Sequence, residues 1–221
     1  MNATLREPLL AGLSDLGLVL HEAQQERLLA FLSLLQQWNR VYNLTSVRAP
    51  AEMLTHHLLD SLAAVVALRR WLQGLDAAAS ARLLDVGSGG GLPGVVFAIC
   101  LPELAVSCVD AVAKKAAFVQ QAAGTLQLRN LRGVHARVEK LAGEFDVVSS
   151  RAFASLGGFA IGSRHLLAPR GVWLAMKGKV PTEEMAALPS DVTVFHVEPL
   201  RVPQLDAERC IVWMRPRMAL H

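Results

Sequence analysis

After Glu22, the residues Leu28, Leu29, Phe31, Leu32, Leu35 and Trp38 recur at intervals of three and four. That spacing builds one helix face and predicts a helix ending between Asn39 and Asn43. Pro50 suits the first turn of a second helix, in which Met53, Leu54, His57, Leu58, Ser61, Leu62, Val65 and Leu68 share a broad face. Residues 1–80 therefore read as helical, closed by a small-residue linker at 74–80. From Arg82 the period shortens. Apolar runs at 83–86, 106–109, 133–136, 146–149 and 172–176 predict strands. Helical stretches at 93–100, 114–126 and 156–167 alternate with them, and two β-like runs, 192–197 and 210–214, end the chain. Such alternation predicts an α/β domain over 81–221, its sheet mostly parallel with helices on both faces.

The composition supports a large core. Apolar residues are 52% of the 221 and charged residues 19%, with a mean hydropathy of +0.34. Intrinsic disorder is excluded, and the length corresponds to about one and a half domains. The charge-free stretch 86–102 is interrupted by five Gly and two Pro, so no bilayer-spanning segment is expected. Arg6, Glu7 and Asp15 interrupt any signal-peptide pattern, and a cytoplasmic location follows as the expectation. Cys100, Cys108 and Cys210 are widely spaced among apolar neighbours, which predicts reduced core thiols and no metal centre. The net charge of +3 hides a basic zone: residues 110–180 carry 11 basic against 4 acidic side chains. Arginine outnumbers lysine 17 to 5, which favours planar recognition of phosphate and guanine. A polyanionic partner is expected.

The strongest local signal is Asp85-Val86-Gly87-Ser88-Gly89-Gly90-Gly91-Leu92-Pro93-Gly94, set between a strand and a helix. Its glycines let a ligand approach the main chain, and the helix start offers free N–H groups to an anion. Asp110 ends the next strand, where a carboxylate holds the two hydroxyls of a ribose. Gly89-x-Gly91-x-x-Gly94 matches the dinucleotide fingerprint, but Asp85 ahead of the glycines gives the D-x-G-x-G-x-G pattern of S-adenosylmethionine sites. There its carboxylate is expected to meet the methionine amino group. The element order, with a terminal hairpin, also fits a methyltransferase sheet. Val95 follows Gly94 where a phosphate-binding loop needs Lys. An Asn/Asp-Pro-Pro-aromatic motif, a cysteine after Pro or Thr, and a G-x-S-x-G elbow are all missing from the sequence. An acceptor already nucleophilic, such as guanine N7, needs only alignment, and no general base is identified. His56-His57-x-x-Asp60 looks like a metal cluster, yet adjacent histidines point about 100° apart on a helix. A hydrogen-bonded face at the junction with the sheet is the expected role.

Tyr42-Asn43-Leu44-Thr45, His56-His57-Leu58-Leu59-Asp60-Ser61-Leu62, Ser150-Arg151-Ala152-Phe153, and Arg201-Val202-Pro203 with Leu205-Asp206-x-Glu208-Arg209 occur in this order. Together with the glycine loop they resemble the RsmG (GidB) family of bacterial methyltransferases, over about residues 25–215. The resemblance implies a Rossmann-like class I methyltransferase fold, with a seven-stranded, mostly parallel sheet over 81–221 and a helical N-terminal cap over 1–80. It implies transfer of a methyl group from S-adenosylmethionine to N7 of a guanosine in the decoding-region loop of small-subunit (16S) ribosomal RNA. It further implies that Gly87, Leu92, Val138, Glu139 and Arg151 join Gly89 and Asp110 at the cofactor, while Arg137, Lys177 and Arg209 face the RNA. Arg129, Arg132, Arg137, Lys140 and Arg151 then either form one phosphate-binding rim around the cofactor mouth or, in the case of Arg129 and Arg132, only decorate a loop. The partner is small-subunit RNA or the assembled small subunit, acted on by a monomer. A non-catalytic RNA-binding assembly factor and, behind it, an NAD-dependent oxidoreductase are the competing readings.

Overall fold

In β1 (Arg82–Val86), Leu83 and Leu84 point to opposite faces of the sheet and both are fully buried, as a strand covered on both sides requires. The computed structural model describes residues 2–75, 81–151 and 154–217. The first elements are the helices α1 (Asn2–Asp15), α2 (Glu22–Tyr42), α3 (Pro50–Met53) and α4 (Asp60–Gln73). After β1 come α5 (Gly94–Cys100), β2 (Ala105–Asp110), α6 (Ala113–Thr125), β3 (Leu131–His135) and β4 (Phe145–Arg151). Then follow α7 (Leu156–Ser163), β5 (Leu167–Lys177), α8 (Thr182–Ala186), β6 (Val192–Pro199) and β7 (Cys210–Pro216).

The sheet has seven strands in the order β3-β2-β1-β4-β5-β7-β6. Strands β1 to β5 are parallel, and β7 inserts antiparallel between β5 and β6. Leu83, Val106, Val147 and Leu174 share one apolar cluster with Leu28, Phe31, Leu32 and Leu58 of the N-terminal helices. Leu84, Val109, Val148 and Trp173 form the opposite layer with Leu156 and Phe159 of α7. The N-terminal helices thus close one face of the sheet and share its core. The sequence boundary between them falls in residues 76–80, outside the described residues.

Two expectations need correction. The predicted helix 156–167 ends at Ser163, and after a 3-10 turn β5 begins at Leu167, before the expected 172. Pro169 and Gly171 lie in that segment, and a register shift opposite Phe145/Val147 accommodates them in the sheet. The helix from Pro50 is continuous to Gln73 but widens to a π-helical stretch at Leu54–Leu59. By length and composition this helix is apolar enough to cross a membrane, yet 72% of its most apolar window is buried in the molecule, as befits a core helix.

Gly94 shows how tightly the glycine loop meets the sheet. A Cβ there would collide with Cys108 Sγ and stand 3.0 Å from Asp85 Oδ2. Gly94→Ala is therefore expected to cost about 3 kcal/mol, the upper part of the overpacking range. The melting temperature should fall by roughly 10 °C, which a thermal scan checks.

Candidate functional site

Strand order reverses on either side of β1: β2 and β3 lie one way, β4 and β5 the other. The crevice beyond the carboxyl ends of such strands is where open α/β sheets bind ligands. Two cavities occupy this edge. The first, of about 380 Å³, lies over β1 to β3 and is lined by Val86, Gly87, Val109, Asp110, Ala111, Lys115, Ala136, Arg137, Val138 and Glu139. Four residues expected at the cofactor (Gly87, Asp110, Val138 and Glu139) therefore meet here. So does Arg137, expected on the RNA side.

Asp110 closes the floor. Its Oδ1 accepts from Val112 N–H at 2.8 Å and its Oδ2 from Gly89 N–H at 3.1 Å. Gly89 thus acts by holding the carboxylate. Gly87, Gly89 and Gly91 have φ of +67°, +56° and +78°, a conformation that favours glycine and lets the loop fold over the strand end. A carboxylate has about four acceptor sites, so Asp110 keeps room for two hydroxyl donors. Val86, Val109 and Val138 supply apolar walls for a flat heteroaromatic ring. These residues fit the adenosine part of S-adenosylmethionine. Leu92 is placed differently: it is buried in the core and does not line the cavity.

Asp85 also departs from expectation. It is fully buried, accepting from Gly94 N–H at 3.0 Å and Ser149 Oγ–H at 3.0 Å. It ties the start of α5 to β4 and is not among the cavity residues. Burial pushes its carboxyl up to about 7, against the pull of those two hydrogen bonds and of Arg151. A folded-state pKa above the unfolded value of about 3.9 means that the native protein holds the proton more tightly. Stability from this group is complete below about pH 4 and is lost as pH rises towards 7. Asp85→Asn should gain stability relative to the parent between pH 5 and 8, by up to about 4 kcal/mol at the alkaline end. Urea titrations at several pH values check this.

The second cavity, of about 430 Å³, lies beyond β4, β5 and β7 and is lined by His56, His57, Asp60, Arg151, Met176, Lys177, Gly178, Leu200, Arg209 and Cys210. Asp60, 3% exposed, is its hub. Arg151 Nη1 donates to Asp60 Oδ2 and Arg209 Nε to Oδ1, both at 3.0 Å, and Arg151 also donates to the His56 carbonyl at 3.0 Å. Lys177 Nζ donates to both Glu184 oxygens, at 3.1 and 2.9 Å, and to the Ala154 carbonyl at 3.1 Å. Arg151 was expected beside the cofactor. It instead shares the second cavity with Lys177 and Arg209, two of the residues expected to face RNA. The sequence motif around it ends in Ala152 and Phe153, which lie outside the described residues.

The single basic rim is corrected. Arg129 and Arg132 line a third cavity, of about 330 Å³, with Arg82, Ala105 and Leu131 at the amino ends of the strands, on the edge away from the crevice. Sequence order hid this, because β3 carries the chain from Arg132, near its amino end, to Arg137, just past its carboxyl end. Sequence reasoning also missed Thr45 as a site residue: its Oγ1 lies 2.7 Å from His57 Nε2. The adjoining pair of polar motifs, Asn43-Leu44-Thr45 and His56-His57, was the available signal. The cysteines are free and buried, and burial pushes the Cys100 thiol up to about 12.

Comparisons with known proteins bear on the family and the fold. The family model described as GidB, rRNA small subunit methyltransferase G, matches residues 24–212. A protein of Acidovorax sp. (strain JS42) named ribosomal RNA small subunit methyltransferase G is 69% identical over 219 residues, covering 97% of both chains. One of the same name from Polaromonas naphthalenivorans (strain CJ2) is 61% identical, covering 96% of both. Among solved structures, TrmN from Thermus thermophilus aligns with a TM-score of 0.53 at 20% identity, over 69% of this chain and 49% of that one. A ribosomal protein L11 methylase from Lactobacillus delbrueckii subsp. bulgaricus gives 0.51 at 12% identity, over 72% and 77%. These two show the fold, a Rossmann-like methyltransferase sheet. A glycine loop tied to the Asp110 carboxylate and a family match across nearly the whole chain lead to one conclusion: this chain belongs to the GidB family of small-subunit ribosomal RNA methyltransferases.

Proposed function

We propose that this chain transfers the methyl group of S-adenosylmethionine to N7 of a guanosine in the decoding-region loop of small-subunit ribosomal RNA. The observation that carries the reading is the pair of cavities flanking the β1–β4 crevice, one built around Asp110 and the other around the Arg151–Asp60–Arg209 cluster. In the first, Asp110 holds the ribose, Val138 and Glu139 flank the adenine, and the Gly87–Gly91 loop admits the chain of the cofactor. When bound, S-adenosylmethionine supplies an electrophilic methyl carbon on a positively charged sulfur.

The second cavity receives the nucleoside. Guanine N7 would offer its lone pair to the methyl group that bound S-adenosylmethionine would supply, and the base would leave the reaction cationic. No proton leaves the base, which accords with a site whose task is alignment. Arg151 and Arg209 share the charge of Asp60, and Lys177 is paired with Glu184, so the cavity holds fixed donors without a large excess of positive charge beside the reacting ring. Arg137, exposed at the rim of the first cavity, is left to meet phosphate. Residues 1–80 serve as a helical cap that contributes His56, His57 and Asp60, and the enzyme works as a cytoplasmic monomer.

The test supplies labelled S-adenosylmethionine and small subunits from cells lacking this enzyme, in parallel with the naked RNA. Label in RNA from either substrate supports the reading and identifies the preferred particle. Binding of S-adenosylhomocysteine without label in either RNA would favour the assembly-factor reading.

A further inference from the structure

Arg129 and Arg132 lie where the transfer reaction has no use for them. The third cavity opens at the amino ends of β1, β2 and β3, and the described residues that line it include Arg82, Arg129 and Arg132 but no carboxylate. Strand pairing gathers them: Arg82 stands beside Ala105 across β1 and β2, and Arg132 beside Ser107 across β2 and β3. Arg132 Nε donates to Ser107 Oγ at 2.9 Å, which aims the guanidinium and leaves its Nη groups without a partner among the described residues. Arg129 is exposed and makes no hydrogen bond or ion pair with a described residue. The turn that carries both is held firmly, because Asn130 Nδ2 lies 3.0, 3.2 and 3.0 Å from the carbonyls of Ala98, Leu101 and Leu104. Arg82 lies over the Phe145 ring, 5.9 Å from its centroid, and 4.0 Å from Glu144 Oε2.

Like charges gathered around one concavity repel, and a bound anion relieves that repulsion. Guanidinium groups present paired donors that match phosphate oxygens. The cavity offers little with which to read a base: Phe145, its aromatic side chain, is 5% exposed and lies under Arg82. Donors for phosphate without a stacking surface suit a nucleic-acid backbone, whose contacts position the polymer and carry no sequence information.

The place of the cavity links it to the crevice. β3 is an edge strand, with Arg132 near its amino end and Arg137 just past its carboxyl end at the first cavity. Five residues of extended chain separate the two arginines, about 17 Å, a length that one RNA segment spans. Resting on small-subunit ribosomal RNA as the substrate, we propose that the amino-end cavity is a second RNA anchor, in which Arg82, Arg129 and Arg132 hold a backbone phosphate remote from the target guanosine while the RNA passes along the β3 edge from Arg137.

The experiment measures binding of unmethylated small-subunit RNA, naked and in assembled subunits, over a series of KCl concentrations. It compares the full-length parent with Arg129→Ala/Arg132→Ala and Arg129→Lys/Arg132→Lys, and records methyl transfer in parallel. Both side chains are exposed, so the variants should melt with the parent. The alanine pair should bind about tenfold more weakly in at least one form of the RNA, and its slope of log affinity against log salt should be shallower by about 1.5 to 2. The lysine pair keeps the charge and should keep the slope. S-adenosylhomocysteine affinity and the rate at saturating RNA should be unchanged, because the anchor is remote from the reacting atoms. Calorimetry with inorganic pyrophosphate tests a small free anion as the source of the same chemistry. Pyrophosphate binding that requires both arginines, with RNA affinity and slope equal in parent and alanine pair, assigns the cavity to a free anion and overturns the RNA anchor. Equal RNA affinity and slope with no pyrophosphate binding overturns the site altogether. A slope loss in the alanine pair, alongside a parent that methylates neither form, supports the anchor and overturns the methylation reading.

Discussion

Asp110→Ala should weaken S-adenosylhomocysteine binding by at least about 100-fold, because two charge-assisted hydrogen bonds to a ribose are worth over about 3 kcal/mol together. The same carboxylate accepts from Gly89 and Val112, so the alanine also frees the glycine loop from its strand end. Asp110→Asn retains an oxygen and loses the charge, and should sit near tenfold. Isothermal titration separates the three proteins. NAD should bind none of them measurably, since the family is that of a methyltransferase. An Asp110→Ala protein that binds the cofactor as the parent does would remove the ribose assignment.

Asp60→Ala should have an equally large effect of a different kind. Asp60 is the common partner of Arg151 and Arg209 across three parts of the chain: α4, the end of β4 and the approach to β7. Deleting it leaves two guanidinium groups in a partly buried space without a counter-charge. Breaking a buried pair this way costs about 3–5 kcal/mol, so the urea midpoint should fall well below that of the parent. Methyl transfer should be lost at temperatures where the variant is still folded, because the wall of the second cavity is no longer held. Cofactor affinity should change little, since Asp60 does not line the first cavity. Asp60→Asn, which still accepts one hydrogen bond, should be intermediate in both respects. Equal loss of cofactor affinity in Asp60→Ala and Asp110→Ala would contradict the division into two cavities.

The fold was largely legible in the chain because its signals are local. The strand runs ending at Val86 and Asp110 and the helix faces of α2 and α4 follow from periodicity alone, and the glycine loop between β1 and α5 is fixed by composition. The early start of β5 was not legible, because Pro169 and Gly171 resemble a turn until a pairing strand with a register shift is in place. The site was legible in part. Gly87, Asp110, Val138 and Glu139 share a cavity because each sits at or just beyond a strand end; spacing reports that position for Asp110, whereas the family resemblance supplied Gly87, Val138 and Glu139. The cluster around Asp60 could not be read, because Arg151 is 91 residues away and Arg209 lies beyond a further sheet crossing. Asp85 misled for a related reason: its motif places it beside the loop, but burial and two hydrogen bonds turn it inward. The basic segment misled because charge along the chain does not reveal which edge of the sheet it reaches.

The central claim is that the crevice aligns guanine N7 with the cofactor methyl group. The most direct test is to digest RNA methylated by the purified protein and identify its nucleosides by mass, with Asp110→Ala as the control. The account predicts one new nucleoside, 7-methylguanosine, formed by the parent and reduced at least about 100-fold at subsaturating cofactor in the variant. A methyl group found on another atom or another base would contradict it.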